Sequence, residues 1–493
     1  MTRPKAGASR CSTVWRLVVL TLAAAPVLGA QITEREFATR RDSLANRIDS
    51  GVVIAFGGRT PITDFGPFHQ LPAFHYLTNF DEPDAAMLMV VHQGRGTTTL
   101  FVTPADPRAA FYYGWRPDSA AVRAQHGLLA RQFAALAAVA DSLAATGLPF
   151  YTLDDFEDAD FARADSLTRG RMFVRRAAER HPGLTVKNAH LIVDQLRARK
   201  SDAEIALLRK AAEISSEGHR AAMTAPLPHH EYELQAALEY TFTRLGGSRP
   251  AYGSIVGSGL NGTQLHYMKD HGETKPGDLV VIDAATEYEG YAADITRTIP
   301  VSGTFTREQR QMYQIVRDAQ AAAEKMAGPG KSAQAAQDSS VAVRARGLAA
   351  LGLIESVDAA FDPPWTADCT RTPASCRQAM LWMIHGISHG LGLAVHDPAQ
   401  FSYGDRTYKP GDVFTIEPGV YVSLRMLDAL PDTPKNRAFI AKVKPIVARY
   451  ENTGVRIEDD YVVTPTGLER ISSAPREIAE IEALMKNRQR PIP

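Results

Sequence analysis

Two apolar segments, each ending at an aspartate, flank a short turn, and this arrangement constrains the fold more than any other feature of the sequence. The run Leu279–Ile282 leads to Asp283, and the segment after Gly290 leads to Asp294. A turn over residues 287–290 predicts that the two aspartates face each other on antiparallel strands, with Cβ atoms about 4.5–5.5 Å apart. Carboxylates that close repel each other unless a cation lies between them. The pair therefore favours a metal site, although an aspartate pair at a strand end and turn is the alternative.

Three histidines, His385, His389 and His396, fall within twelve residues, out of 14 in the whole chain. The segment is rich in glycine, so that its backbone can approach a ligand closely. Imidazoles at this density suit one metal ligand with neighbours that donate hydrogen bonds to a developing oxyanion. A single histidine is more often structural, but three together favour a functional site.

Two glutamates lie in apolar strand-like runs. Glu417 follows Val413–Ile416, and Glu458 lies in the run Val455–Val463, which we expect to be one strand. A glutamate in such a run is costly to bury unless it is paired or bound to a metal. Strand alternation places Arg456 on the same face as Glu458, so an ion pair between them is the alternative.

These acids and one histidine form a set suited to two divalent cations. The set is Asp283, Asp294, His389, Glu417 and Glu458. Its four carboxylates balance the charge of two divalent ions, and oxygen-rich ligands with one imidazole favour Mn(II), with Co(II), Fe(II) or Zn(II) as alternatives. Two metals about 3.5–4 Å apart can share a bridging hydroxide and stabilise a tetrahedral intermediate.

Length and composition indicate a globular protein with more than one domain. The chain has 493 residues, of which 45% are apolar and 22% charged, which excludes disorder, collagen and coiled coil. Lys+Arg and Asp+Glu both total 55, so no basic excess points to nucleic acid as a partner.

The N-terminal part has an α/β pattern without a catalytic cluster. Strands are predicted at Gly51–Phe56, Ala85–Val91 and Thr97–Val102, and alanine-rich helices at about 118–146. We assign this domain to residues 31–198.

A second domain is expected over 199–493. Ser201 and Glu204 have the capping-box spacing that opens a helix. Two long loops are predicted at 361–377 and 424–450.

Residues 1–30 have the pattern of a secretory signal. They contain a basic start, the apolar run Leu17–Ala25 and a small-residue exit at Ala30. An uncleaved anchor is the alternative, but the run is shorter than the ~18 residues needed to span a bilayer. We therefore expect an exported protein, periplasmic or secreted, cleaved after Ala30 and not inserted in the membrane. Cys369 and Cys376 are able to form a disulfide in such a compartment.

The chain resembles the family of aminopeptidase P and prolidase, which are metallopeptidases with the pita-bread fold. The segments that carry the resemblance are Ile255–Gly262 with Leu265–Tyr267, Gly277–Asp283, Gly290–Thr298, His385–Asp397, Ile416–Gly419, Arg456–Asp460, Phe74–Asp84 and Trp115. The resemblance implies an α+β protein in which a C-terminal pita-bread catalytic domain follows a smaller α/β N-terminal domain.

The resemblance also implies a role for each site residue. The metal ligands are Asp283, Asp294, His389, Glu417 and Glu458, with Asp294 and Glu458 bridging. Glu417 also handles the proton of the bridging hydroxide. Three outer histidines position the substrate and stabilise the tetrahedral intermediate: His266, His385 and His396. Arg456 orients the neighbouring carboxylates.

The implied activity is that of an Xaa-Pro aminopeptidase, which acts on peptides with proline at the second position and works as a homodimer or homotetramer. An Xaa-Pro dipeptidase is the near alternative. A non-catalytic pita-bread peptide-binding protein is the alternative from another class, and the full ligand set disfavours it. Gly390, Ala394 and Ala285 depart from the family pattern, which leaves the substrate preference open.

Overall fold

A computed structural model describes residues 1–2, 31–61, 66–103, 106–153, 168–398 and 407–488. Apart from Met1 and Thr2, the predicted signal segment lies outside the described residues. Among the helices within these ranges, none combines the length and the apolar character needed to cross a membrane.

A six-stranded mixed sheet forms the N-terminal part, in the order β4-β3-β2-β1-β5-β6. Its strands are β1 (Gly51–Phe56), β2 (Ala86–His92), β3 (Arg95–Val102), β4 (Leu129–Gln132), β5 (Phe150–Thr152) and β6 (Val186–Asn188). Strand β1 pairs antiparallel with β2 and parallel with β5, and it is buried along its whole length. The three strands expected from the sequence are confirmed.

Helices pack around this sheet. They are Glu34–Ile48, Pro72–Thr78, Pro107–Tyr113, Ser119–His126, Leu136–Ala144, Arg169–Arg180 and His190–Arg197. The alanine-rich helices expected at about 118–146 are present as Ser119–His126 and Leu136–Ala144, but they are separated, because Gly127 adopts φ 64° at the end of the first and β4 then joins the edge of the sheet beside β3. Glycine reaches that conformation without steric cost, so the helix ends there.

The C-terminal part is built from short antiparallel strands. They are β7 (Arg249–Pro250), β8 (Ile255–Ser258), β9 (Leu279–Asp283), β10 (Thr286–Tyr288), β11 (Tyr291–Ala292), β12 (Thr296–Pro300), β13 (Val413–Ile416), β14 (Gly419–Val422), β15 (Thr453–Arg456), β16 (Asp459–Thr464) and β17 (Gly467–Arg470). They form the groups β12-β9-β8, β11-β10-β7, β13-β16-β17 and β14-β15.

Helices of this part cover the strands. They are Asp202–Thr224, Glu231–Arg244, Arg307–Met326, Ala333–Leu351, Leu424–Asp428, Pro434–Val447 and Ile478–Met485. The capping box at Ser201 and Glu204 is confirmed. The mixture of helices and strands confirms the α+β class. The division between residues 198 and 199 remains a prediction.

The prediction of a loop over 424–450 is wrong, because two of these helices lie within it. Thr433 accepts a hydrogen bond from the backbone of Asn436, and Pro434 occupies the first helical turn. Pro445 lies inside the same helix. An internal proline removes a backbone donor and is atypical of a helix, so the sequence pattern concealed this element.

The single strand expected over Val455–Val463 is also wrong. It is divided into β15 and β16 by Ile457 and Glu458, whose backbone amides donate to Pro418 O (3.4 Å) and Thr296 O (3.1 Å). At these bonds the chain leaves the pairing of β15 with β14 and enters the pairing of β16 with β13.

The two parts share a buried core, in which Leu207, Leu391 and Val462 pack with apolar residues of the N-terminal sheet. Polar contacts join them as well, since Arg197 lies 2.9 Å from Asp397, the residue after His396. In the loop over 361–377, a disulfide joins Cys369 and Cys376.

Candidate metal centre

Asp283 ends β9 and is paired with Thr296 of β12, so the expected pairing of Asp283 with Asp294 is wrong by two residues. The turn contains only Glu289 and Gly290, with φ values of 50° and 81°. Positive φ at both central residues is typical of a two-residue hairpin turn, whose twist matches that of the strands. The shorter turn shifts the register.

Tyr252 nevertheless brings the two aspartates together. Its hydroxyl oxygen lies 2.6 Å from Asp283 Oδ1 and 2.5 Å from Asp294 Oδ1. Burial raises the pKa of Asp294, and the neighbouring carboxylate of Asp283 raises it further. Two acids are therefore held side by side where water is scarce, which is the situation that a cation relieves.

His389 lies at the centre of the acids. Its Nε2 atom is 3.4 Å from Asp294 Oδ2, 3.5 Å from Glu417 Oε1 and 3.9 Å from Glu458 Oε1. Its Nδ1 lies 3.1 Å from the carbonyl oxygen of Gly390, which fits an Nδ1–H donor and leaves Nε2 directed at the carboxylates. Metal-binding histidines commonly have this arrangement, in which the second nitrogen donates to a carbonyl.

Glu458 and Glu417 complete the cluster. Glu458 is 2% exposed, and its Oε2 accepts a hydrogen bond of 2.6 Å from Thr296 Oγ1. Burial and repulsion from Asp294 hold the pKa of Glu458 well above its usual range. Burial is also the main cause that raises the pKa of Glu417.

The residues present fit divalent metal ions. Ligand atoms of Asp294, His389 and Glu458 lie within 4.8 Å of one another. The raised pKa values of three acids show that their charges lack sufficient compensation from the protein. Oxygen donors with one imidazole are the donor set that Mn(II) and similar ions accept.

Arg456 does not pair with Glu458 in the way the sequence allowed. Its guanidinium donates to Asp283 Oδ2 (2.5 Å), Thr296 Oγ1 (3.1 Å) and the hydroxyl of Tyr421 (2.9 Å). The strand is interrupted after Arg456, so the alternation of side chains that would place Arg456 and Glu458 on one face does not apply. Arg456 forms its ion pair with Asp283 instead. Thr296 instead connects Arg456 with Glu458.

The three outer histidines occupy different surroundings. His385 lies 3.6 Å from Glu417 and forms a hydrogen bond of 2.9 Å with Tyr421, while burial and the charge of Arg456 lower its pKa to about 3. The ring of His396 is centred 4.2 Å from that of His389. His266 is exposed, and its charge also acts to lower the pKa of His385. The structure therefore brings His385 and His396 to the cluster, whereas His266 is exposed.

Sequence reasoning missed three residues of the site: Tyr252, Thr296 and Tyr421. Each acts through a hydroxyl group that contacts an acid or Arg456. Thr296 and Tyr421 lie in β12 and β14, and β-propensity alone explains such residues in strands. Only Thr296, two residues after Asp294, had a position that pointed to the site.

Gly390 has a structural reason for departing from the family pattern. A Cβ atom at this position would lie 2.6 Å from Pro398 O and 2.9 Å from Asp397 O. Backbone atoms cannot yield as a flexible side chain does, so the chain path at 397–398 excludes a side chain at position 390.

Comparisons with known proteins agree with this geometry. Residues 206–465 match the model of metallopeptidase family M24, and residues 37–146 match that of the aminopeptidase P N-terminal domain. The Xaa-Pro aminopeptidase of Escherichia coli is 32% identical over 472 residues, covering 92% of this chain and 98% of that protein. The Xaa-Pro aminopeptidase of Haemophilus influenzae is 32% identical over 431 residues, covering 85% and 89%.

Solved structures have the same fold. A histidine-to-alanine variant of Escherichia coli aminopeptidase P superposes with a TM-score of 0.75 at 31% identity, covering 92% of this chain and 99% of that one. Proline aminopeptidase P II from Yersinia pestis has a TM-score of 0.74 at 32% identity, covering 92% and 100%. These likenesses confirm the fold and the family expected from the sequence. The chain belongs to metallopeptidase family M24 and is a metallo-aminopeptidase of the Xaa-Pro aminopeptidase type.

Proposed function

We propose that this chain is an exported enzyme that uses two divalent metal ions to hydrolyse the bond before proline at the N-terminus of peptides. The observation that carries the proposal is the convergence of Asp294, His389 and Glu458, whose ligand atoms lie within 4.8 Å of one another. Asp283 and Glu417 extend this set to five residues through their contacts with Tyr252 and His389.

The proposed metal is Mn(II), because carboxylates outnumber the single imidazole. One solved structure of the Escherichia coli enzyme is described as zinc-substituted and in complex with product, so a relative is known with another metal. Two divalent ions held by these residues would supply Lewis acidity and a hydroxide nucleophile at neutral pH.

The protein side chains have separate tasks. We assign the proton of the nucleophile to Glu417, because its carboxylate lies 3.5 Å from His389 Nε2 and 3.6 Å from His385 Nδ1, between a proposed metal ligand and a neighbouring imidazole. His385, kept neutral by burial and by Arg456, presents an imidazole hydrogen-bonded to Tyr421. We assign the contacts with the bound peptide to His266 and to His396, whose ring is centred 4.2 Å from that of His389, and the positioning of Asp283 to Arg456.

We also propose that the active form is a homo-oligomer. The helix Pro107–Tyr113 and the residues after it expose four aromatic side chains: Phe111, Tyr112, Tyr113 and Trp115. Their exposed fractions are 92%, 72%, 62% and 75%. An apolar patch of this kind commonly marks an interface.

Product analysis by mass spectrometry tests the activity. Chelated protein beginning at Gln31 is incubated with Mn(II) and either Ala-Pro-Ala-Phe or Ala-Pro, beside a sample without metal. Release of alanine from the tetrapeptide, only with metal, is expected. Cleavage of the dipeptide alone would identify an Xaa-Pro dipeptidase instead. Failure to cleave either peptide with any divalent metal would favour a binding protein.

Export is tested by N-terminal sequencing of protein recovered outside the cytoplasm. The expected first residue is Gln31, because the proposed cleavage follows Ala30. Protein that retains Met1 in the membrane fraction would contradict cleavage.

A further inference from the structure

Glu417 and Glu458 both lie just beyond regular strand structure. Glu417 follows the last residue of β13, and Glu458 lies in the interruption between β15 and β16. Their backbone amides donate outside these ladders, from Glu417 to Ile387 O (2.8 Å) and from Glu458 to Thr296 O (3.1 Å). Contacts beyond the regular strand pairing therefore help to hold the two glutamates where they meet.

One buried side chain reaches the backbone before both glutamates. Gln320 is fully buried in the helix Arg307–Met326. Its Nε2 lies 3.1 Å from the carbonyl oxygen of Ile416 and 3.4 Å from that of Ile457. These are the residues directly before Glu417 and Glu458.

The orientation of the Gln320 amide is determined by charge. Its Nε2 also donates to Asp459 Oδ2 at 3.0 Å, and its Oε1 accepts from Arg476 Nη1 at 3.4 Å. The reversed amide would place its oxygen against two carbonyl oxygens and a carboxylate, and its nitrogen against a guanidinium. The nitrogen therefore faces the two strand ends.

The backbone carbonyl group of Glu458 is also held by a buried side chain. Arg297, fully buried and paired with Asp459 at 2.6 Å, donates to the carbonyl oxygen of Glu458 at 2.6 Å. The interruption of the strand is thus bonded on both sides of Glu458. Gln320 adds a side-chain donor to the backbone pairing of Ile416 with Asp459, which already joins this interruption to the end of β13.

We propose that Gln320 is a positioning residue that fixes Glu417 and Glu458 relative to each other, so that both can bind the metal ions. The inference rests on the proposed metal-binding role of these two glutamates. Removal of the amide leaves the carbonyl oxygens of Ile416 and Ile457 without this donor and loosens the segments that carry the two glutamates, although the pairings of β13 with β16 and of β14 with β15 remain. Side chains that orient metal ligands commonly account for about 10- to 100-fold in metal affinity.

The test measures Mn(II) affinity by titration calorimetry in the full-length chain. Gln320→Met keeps the shape of the side chain and removes its donor. Gln314→Met is the matched control, because Gln314 is exposed on the same helix and bonds only to Asp318 among the contacts described. We expect an increase of about 10- to 100-fold in the Kd for Mn(II) with Gln320→Met and no change with Gln314→Met.

A merely structural role gives a different result. It would lower the Tm of Gln320→Met while the folded variant, checked by near-UV circular dichroism, binds Mn(II) with the Kd of the parent, and that outcome overturns the inference. If Gln320→Met does not fold, Gln320→Asn serves instead, because its shorter amide cannot span both carbonyl oxygens; parental affinity there also overturns it. A parent that binds Mn(II) without cleaving Xaa-Pro peptides refutes the proposed function only, whereas a parent that binds no divalent metal refutes both.

Discussion

Arg456 Nη2 lies 2.5 Å from Asp283 Oδ2, and this ion pair joins β15 to β9 beneath the metal centre. Both residues are buried, at 3% and 8% exposure. Each carboxylate oxygen has two lone pairs, so Asp283 can accept these hydrogen bonds and still bind a metal. The ion pair therefore orients Asp283, a proposed metal ligand, and still leaves it lone pairs with which to bind a metal.

Replacement of Arg456 by lysine should lower kcat by about 10- to 100-fold. The guanidinium contacts Asp283, Thr296 and Tyr421 at once, whereas a lysine ammonium is a compact point charge that cannot repeat this fork. Steady-state kinetics with saturating Mn(II) measures the effect. Arg437→Lys is the control, because Arg437 is exposed and pairs with exposed Asp432. Equal kcat values for the two variants would contradict the positioning role.

Asp294→Ala should abolish both peptide cleavage and metal uptake in a chain that remains folded. Asp294 contacts Tyr252 and His389 at the centre of the cluster, and its carboxylate is one of the three ligand groups that converge there, with His389 and Glu458. Product analysis measures cleavage, mass spectrometry of the protein measures metal content, and the far-UV circular dichroism spectrum shows whether the chain is folded. Turnover with tightly bound metal in this variant would refute the assignment, and Asp432→Ala, at an exposed acid, controls for the loss of a charge.

His396→Ala and His389→Ala should differ in metal content. The rings lie 4.2 Å apart, and His389 Nε2 is 3.4 Å from Asp294 Oδ2 and 3.5 Å from Glu417 Oε1, which favours His389 as the metal ligand. We expect His396→Ala to keep its metal and to lose about 100-fold in kcat, the usual effect of removing one group that stabilises the oxyanion. Loss of metal from His396→Ala would mean that the ligand and its neighbour are interchanged.

The chelated enzyme should become less stable as the pH rises. Burial disfavours the charged form of His389, but Asp294 and Glu417 outweigh it and raise its pKa from 6.5 to about 9. A raised pKa in the folded state contributes stability below the unfolded value of 6.5, and that stability is lost as the pH rises through about 9. The raised pKa values of Asp294, Glu417 and Glu458 act with the same sign.

Urea unfolding at pH 6 and pH 9 measures this dependence. Between these values the chelated enzyme should lose on the order of 2–3 kcal/mol. The enzyme loaded with Mn(II) should gain stability over the same range, because the metal binds deprotonated ligands. Equal pH slopes for the two forms would show that His389 and the acids do not share a metal.

Removal of the disulfide should affect stability more than catalysis. Cys369 and Cys376 lie seven positions apart in the chain. Loss of chain entropy in the unfolded state assigns a cross-link of this span about 2 kcal/mol of stability. The variant Cys369→Ser with Cys376→Ser should therefore unfold at lower urea concentration while its kcat and metal content match the parent. A large fall in kcat would instead connect the loop to the active site.

Local sequence was informative where local rules decide the structure. The strand Gly51–Phe56 is an unbroken apolar run, and the helix after Ser201 begins with a capping box, so both could be predicted. The helix Pro434–Val447 could not, because Pro445 opposes the local pattern and contacts elsewhere outweigh it. Phe439 and Val443 of that helix are buried in the main core.

In the candidate site too, some residues could be predicted from local sequence and others could not. The acids and histidines stand out in the sequence because isolated charges in apolar strands are costly. The hydroxyls of Tyr252 and Tyr421 do not, because tyrosine is common in any core and its partners are distant in the chain. Register was the further limit, since a turn shorter by two residues moved the partner of Asp283 from Asp294 to Thr296.

The sequence by itself therefore determined the chemistry available: four carboxylates in or beside strand-like segments and an imidazole in a glycine-rich one, in an order typical of one metallopeptidase family. Only the tertiary structure decided how these groups meet, because strand interruptions, hairpin register and buried partners such as Gln320 depend on contacts between residues far apart in the chain. Those contacts gain their energy from burial of both partners at once, which no local segment can provide alone.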